Sequence, residues 1–472
     1  MQNDLSEQTR KILLIVMIAG CFFSTLNQTL LNVALSDLMN TFSVSPTTIQ
    51  WLATGFMLVN GILVPITAFL MKRFSTRQLF ISAMLFLLAG SVVAACAVNF
   101  GMLLTGRMIQ AVGAGIILPL MMTVIVYLFP EERRGAIMGK VGFAIIFAPA
   151  IAPTLAGFII DYLSWRWLFI SLIPFIVIII GLAYKYLMNV NEGAKSKIDL
   201  ISLLYSTFGF GFLLFGFSSA GSRGWDDAVI LSTISAGLII IFLFCQRQLS
   251  SQDPLLNLSV FRYQMYSMTT IVNVAITIIM YADLILLPMY LQDGRGFSAL
   301  DAGLILLPGA IINALLSPVT GKLFDKYGAK PLFIFGLLLI AISMWLVIDL
   351  SSTTSYVYIL VRTIVLRIGL AFITMPLNTA ALNAIPRELA SHGSAVNNTI
   401  RQLAGAIGTA VIVTVYSLQL TDSSVLANES YANAASSTYF YMFILAIIAF
   451  IIVLFVPKHN KKTQFNKQIK NW

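Results

Sequence analysis

Hydrophobic positions along this chain fall into long, nearly unbroken runs rather than into the one-sided stripes of a soluble helix. A helix needs about 20 apolar residues to cross a bilayer. Runs of that length occupy roughly 12–36, 47–71, 78–98, 102–128, 138–160, 166–188, 199–219, 228–247, 266–291, 302–321, 330–350, 356–383, 394–419 and 437–457. Short polar or Gly/Pro-containing segments separate them. The pattern predicts an all-α polytopic membrane protein with fourteen spans. A closed barrel would show alternating segments of about 10 residues, and the runs are neither short nor alternating. The first run begins near Lys11 and continues for about 25 residues, against 7–15 for the apolar core of a secretory signal. It is therefore read as the first span.

Composition agrees. The 472 residues are 58% hydrophobic and 10% charged, where a soluble domain carries about 25% charged residues. Such a chain has too little polar surface to offer water. Lys and Arg are distributed unevenly between the two sets of loops. Roughly 23 lie on the side of the termini, among them Lys72, Arg73, Arg133, Arg134, Lys322 and Lys326, with Arg166, Arg223 and Arg295 on the other. Positive charge marks the cytoplasmic side, so both termini are expected there. The net charge of +10 is accounted for as this topology signal, and no nucleic-acid partner is implied.

Two loops repeat. Gly321-Lys322-Leu323-Phe324-Asp325-Lys326-Tyr327-Gly328-Ala329-Lys330 follows the tenth run. Ala68 to Arg77, after the second run, has the same length and outline, with both glycines and the acid replaced. A carboxylate there can cap a helix N-terminus or pair with a base. The repetition predicts two homologous halves of six spans, the usual build of secondary transporters. The expected organisation is a six-helix bundle over 1–190, an inserted pair with linkers over 191–260, a second bundle over 261–457 and a basic tail over 458–472.

With these loops the chain resembles the major facilitator superfamily. Further motifs narrow the resemblance: Gln50-Trp51, Arg107-x-x-Gln110-x-x-Gly113-x-Gly115, Pro149-x-x-x-Pro153-x-x-x-Gly157, Trp165-Arg166-Trp167-Leu168-Phe169 and Asn398-x-x-Arg401-Gln402-x-x-Gly405-x-x-Gly408. Together they are similar to fourteen-span drug:proton antiporters of the EmrB/QacA type, and within these to the lincomycin-resistance exporters of Gram-positive bacteria. The resemblance implies the major facilitator fold and export of amphipathic, often cationic or zwitterionic, antibiotics and toxic compounds by alternating access in the cell membrane. It implies no cofactor and a monomer. It also implies that Pro149, Pro153 and Gly157 form the antiporter motif that seals the cavity, against the plainer reading of a proline kink with close packing. The chain departs from the family pattern at Asn27, where an aspartate is often found, and at Ala148 and Ala152, where glycines are usual.

An ionisable group inside a bilayer costs several kcal/mol and is a functional candidate by default. Of the nineteen acids, Asp283 alone falls well inside a run, about 12 Å from its outer end at 1.5 Å per residue. Desolvation favours the neutral form of a carboxylic acid, which suits reversible protonation. A fixed structural ion pair is the competing reading. Arg362, at roughly 9 Å depth, and Arg367, at roughly 17 Å, are the candidate charge partners on the twelfth run. Arg107 on the fourth run matches the family's arginine and is either a charge relay or a structural hydrogen-bond donor. Gln28, Asn32, Trp51, Asn60, Asn273, Thr277 and Met280 are candidates for the substrate cavity, although such polar groups also simply join helices. Aromatic residues and methionines suit bulky, poorly defined ligands.

Cys21, Cys96 and Cys245 stand singly within apolar runs, and His392 and His459 fall outside them, so no metal site is indicated. No nucleotide-binding or nucleophile motif is present. An enzyme is therefore not expected, and transport must draw on an ion gradient. Protons are the first expectation. Sodium coupling, or export of one physiological metabolite, is the alternative.

Overall fold

The computed structural model describes residues 7–44, 46–49, 51–189, 199–251, 254–297, 299–419 and 427–456. Fourteen helices follow the predicted runs. They are α1 (Glu7–Leu30), α2 (Trp51–Arg73), α3 (Thr76–Ala95), α4 (Phe100–Leu128), α5 (Glu131–Tyr162), α6 (Trp167–Tyr186), α7 (Leu200–Arg223), α8 (Ala228–Ser250), α9 (Gln264–Met289), α10 (Ala299–Tyr327), α11 (Ala329–Trp345), α12 (Tyr356–Asn383), α13 (Ala390–Gln419) and α14 (Ala427–Leu454). Thirteen are long and apolar enough to cross a bilayer, and α11 is a shorter apolar helix of 17 residues. The short helix Leu35–Phe42 follows α1.

Several run boundaries shift. α5 begins at Glu131, because the acidic pair Glu131-Glu132 suits the positive end of a helix. α14 begins at Ala427, so Asn428-Glu429-Ser430, expected in a loop, lies in its first turn. α13 begins at Ala390 and takes in His392, expected outside the spans; this residue is buried, and its Nδ1 accepts from the Asn257 backbone N–H at 3.2 Å.

The chain forms two compact units. The first comprises α1–α4, α5 from Val141, α6–α8 and α13 to Val415. The second comprises Glu131–Lys140 of α5, α9–α12 and α14.

In the first unit, α7 and α8 pack tightly through small residues. A side chain at Gly216 would meet Ile234 at 2.6 Å, and one at Gly237 would meet Leu213 at 2.9 Å. Asp199 caps α7, its carboxylate accepting from the Ser202 N–H, and takes a bidentate bond from Arg247 of α8 at 2.9 Å for each contact. This pair of helices rests on α2, where Gly61 faces Leu214, and on α13, where Trp225 donates its indole N–H to Thr414.

Each unit contains the same close helix pairing. Gly90 of α3 and Gly106 of α4 oppose each other, and a Cβ on either would come within 2.9 Å of the other's carbonyl oxygen. Gly336 of α11 and Gly369 of α12 do the same, also within 2.9 Å. Glycine lets the backbones approach where water is not available to drive association. The repeated loops recur in detail too. Arg77 donates to the Tyr184 carbonyl near the end of α6, and Lys330 donates to the carbonyls of Leu454 (2.6 Å) and Val456 (3.1 Å) at the end of α14. A cation at a helix C-terminus satisfies carbonyls that have no partner within the helix. The turns preceding them differ. Ser75 and Gln78 form a reciprocal capping box at α3, whereas Gly328 takes φ 80 before α11, a conformation that favours glycine.

Candidate functional site

The second unit brings Asp283 and Arg362 together. α9 carries the acid. α12 starts at its N-cap Ser355 and carries the arginine two turns further on. Both side chains are fully buried, and Arg362 Nη1 lies 2.5 Å from Asp283 Oδ1. The Tyr439 hydroxyl of α14 donates to the same oxygen at 3.2 Å, and the Arg362 guanidinium lies over the Tyr439 ring at 4.7 Å. Ser343 of α11 completes the setting. Its carbonyl accepts from Arg362 Nε at 3.2 Å, and its hydroxyl donates to the Arg362 carbonyl at 3.1 Å. Asp283 Oδ2 is buried and has no partner among the described residues. A buried carboxylate with one free oxygen leaves a lone pair where a proton can bind without breaking every existing contact.

Arg367 is not the partner. Its stem crosses Gly309 of α10, where a Cβ would meet Arg367 Cγ at 2.8 Å, and its Nε has no partner among the described residues. Asn273 and Thr277 are buried and Met280 half-buried on α9. None of the three lines the cavity described below for the first unit.

The first unit contains a parallel arrangement without the acid. Arg107 of α4 is fully buried and donates from Nη1 to Asn27 Oδ1 (2.9 Å), the Asn27 carbonyl (3.2 Å) and Gln110 Oε1 (2.9 Å). Its guanidinium lies 4.3 Å from the Phe56 ring centroid. Gln110 in turn donates to Ser91 Oγ of α3 at 2.9 Å. No carboxylate pairs with Arg107 among the described residues. Asn27 supplies oxygen ligands but no charge.

Gln28 of α1 and Asn60 of α2 line one cavity of the first unit, of about 60 Å³. Its wall also holds Ser24 and Thr25 of α1, residues of α4 from Ala114 to Pro119, and Asn398, Arg401 and Gln402 of α13. Arg401 is not among the candidate residues of the sequence, although it lies inside the run 394–419 and within the motif that begins at Asn398. Ser343 and Tyr439, also missed, carry no signal in an apolar run. Trp51 stands away from this cavity, its ring stacked on Phe215 of α7 at 5.8 Å. The side chains of Asn32 and Pro153, and Gln50, His459 and the tail, lie outside the described residues.

Around the repeated loop, Asp325 accepts from the backbone N–H groups of Gly135 (2.8 Å) and Ala136 (2.7 Å) near the start of α5. Gly321 lets α10 meet that turn, since a Cβ there would lie 2.1 Å from the Gly135 carbonyl oxygen. Gly139 faces the Ser317 carbonyl in the same way, at 2.5 Å. The close packing expected at Gly157 is not made: a Cβ there would meet nothing within 4 Å. The glycines that bring α5 close to a neighbour lie at its other end. Helix α5 remains one helix through Pro149 and Pro153.

Comparison with known proteins places the chain. The Major Facilitator Superfamily profile matches residues 17–409. The uncharacterized MFS-type transporter YhcA of Bacillus subtilis is 45% identical over 429 residues, covering 89% of this chain and 81% of that protein. The lincomycin resistance protein LmrB of Listeria innocua is 42% identical over 401 residues, covering 85% of each. Among solved structures, the human organic anion transporter MFSD10 superposes with a TM-score of 0.70 at 14% identity, covering 94% of this chain and 99% of that one, a likeness of fold. The repeated halves, the buried charges and these relatives agree: the chain is a multi-pass membrane transporter and belongs to the Major Facilitator Superfamily.

Proposed function

We propose that this protein is a proton-coupled antiporter that exports structurally varied amphipathic drugs across a bacterial cell membrane, with both termini in the cytoplasm. The observation that carries the reading is the buried Asp283–Arg362 pair with its free carboxylate oxygen. The similarity to lincomycin resistance proteins supports drugs as the cargo. When Asp283 is ionised, it holds α9 to α12 through Arg362 and to α14 through Tyr439. Protonation at Oδ2 removes the charge from the pair and leaves Arg362 bound to the Ser343 carbonyl and the Tyr439 ring. At an effective dielectric of about 20 an ion pair is worth on the order of 4 kcal/mol. One proton crossing about 150 mV delivers roughly 3.5 kcal/mol. The two are of the same order, so a single proton is sufficient to switch this contact. Arg107, with no acid to neutralise it, acts in this reading as a fixed charge.

The test is export of lincomycin and a panel of amphipathic drugs by the purified protein in proteoliposomes, under an imposed pH gradient or an imposed sodium gradient. Wild type should respond to the pH gradient. Asp283→Asn should lose gradient-driven export at least tenfold while still binding drug. Full pH-driven export by Asp283→Asn would refute the assignment of the proton to Asp283. A response to sodium alone would refute proton coupling and favour a sodium-coupled exporter.

A further inference from the structure

We infer that the cavity between α1, α2, α4 and α13 is a subsite for an anionic group, a carboxylate or sulfonate, borne by an amphipathic ligand. The inference deepens the transport reading by assigning a substrate chemistry to this site, and rests on that reading for the ligand being cargo.

The lining residues set the chemistry. Arg401 is the single charged residue among them; no Asp or Glu contributes. The other polar members are hydroxyls and amides, namely Ser24, Thr25, Gln28, Asn60, Asn398 and Gln402. Several are already committed. Thr25 donates to the Cys21 carbonyl at 2.8 Å, and Asn398 donates to the Ser394 carbonyl at 2.9 Å. No hydrogen bond or ion pair among the described residues engages the guanidinium of Arg401 or the side-chain amides of Gln28 and Gln402. A half-buried arginine with its donors free, inside a span, is costly unless something meets its charge. The planar fork of a guanidinium matches a carboxylate or sulfonate bidentately, and the amide N–H groups of Gln28 and Gln402 add neutral donors to the same oxygens.

Size sets a limit. About 60 Å³ compares with roughly 30 Å³ for one water in liquid. The cavity takes one charged group, and the apolar body of the ligand must lie elsewhere. The Arg107 cluster does not compete for this role. Its Nη1 is spent on Asn27 and Gln110 and its Nη2 is directed at the Gln28 carbonyl at 3.4 Å. The selectivity this predicts favours acids and zwitterions over purely cationic drugs of the same shape.

The experiment measures equilibrium binding to the purified full chain in detergent, without any gradient. The probes are 1-naphthoate, its uncharged methyl ester and 1-naphthylmethylammonium, followed by competition against a bound fluorescent drug. Naphthoate should bind at least tenfold more tightly than either of the other two. Arg401→Gln should abolish that preference, and Arg401→Lys, which keeps the charge but not the fork, should retain part of it. Equal binding of acid and ester by wild type would overturn the inference. So would an undiminished preference in Arg401→Gln. Folding of each variant is checked by its unfolding midpoint, and if Arg401→Gln does not fold, Arg401→Lys and the wild-type probe series decide. Asp283→Asn should bind naphthoate as wild type does. Absence of the naphthoate preference in wild type, with intact pH-driven export, would remove the subsite alone. Full pH-driven export by Asp283→Asn, with an intact naphthoate preference in wild type, would remove the proton assignment alone.

Discussion

Arg107 and Arg362 are two solutions to one problem. Each is a fully buried arginine on the fourth helix of its half, two turns after an N-cap, Asn99 in one case and Ser355 in the other. Each meets a residue on the first helix of its half and is tied to a serine on the third, Arg107 through Gln110. The partner on the first helix differs. Arg107 faces Asn27, whose oxygens accept from its Nη1 but leave its charge standing. Arg362 faces Asp283, which satisfies both. The same framework thus holds a permanent cation in one half and a titratable pair in the other. Among the described residues only the second cluster contains an acid, and the proposed function rests on that difference.

The largest expected effect comes from removing one partner of the pair. Arg362→Gln strands a buried carboxylate and should cost about 3–5 kcal/mol, read as a lowered unfolding midpoint in detergent. Arg107→Gln strands only neutral acceptors and should cost about 1–3 kcal/mol. If the two variants were equally destabilised, Arg107 would have to meet a negative charge, and the contrast would collapse.

Next in size, Asn27→Asp turns the first half into a copy of the second. A carboxylate placed 2.9 Å from Arg107 replaces a neutral acceptor by a charged one, a gain of about 2 kcal/mol, seen as a raised midpoint. The same variant should add a second pH-dependent group to transport. A lowered midpoint would mean that the site cannot accommodate the charge.

The smallest effect sets the buried pair against an exposed one. Asp199 and Arg247 make the same acid–arginine contact at the end of the inserted helices, with side-chain exposures of 24% and 41% respectively. The hydrogen bond from Arg247, with smaller contributions from the Ser202 contacts and against the effect of burial, holds the Asp199 carboxyl at about 2. The ordinary carboxylate value is about 3.9. Because the folded value is the lower, this contribution is complete above about pH 4 and is lost as pH falls through about 2. In Arg247→Gln the loss should begin about one pH unit higher, measured as the unfolding midpoint across pH 2–5. An unchanged acid profile would show that solvent screening leaves this pair without consequence.

Much of the candidate site was legible because the bilayer penalises charge. Asp283 was singled out by that cost alone, and depth left both Arg362 and Arg367 within its reach. The direction around the helix was not legible. Arg362 and Arg367 are five residues apart, or roughly 140° at 100° per residue, and only the packing of α9 against α12 decides which of them faces the acid. For the Asp325 carboxylate the sequence left a helix N-terminus and a base as alternatives, and that its hosts are Gly135 and Ala136 of α5 depends on which helix passes beside Gly321. Gly157 shows the reverse. Its spacing suggested close packing, yet a Cβ there meets no described residue within 4 Å, and Gly139 makes a close approach instead.

What the sequence by itself determined is the set of fourteen apolar helices and the isolation of one acid within a span. These follow from properties of single segments, since each helix must satisfy its own backbone and its own apolar face in lipid. Tertiary structure alone decided the partners. The Ser343 and Tyr439 supports of the ion pair, the opposition of Asn27 to Arg107 and the gathering of Arg401 with Gln28 and Asn60 require side chains from two to four helices far apart in sequence. Their convergence is set by rotation and crossing of the helices, which hydropathy does not encode.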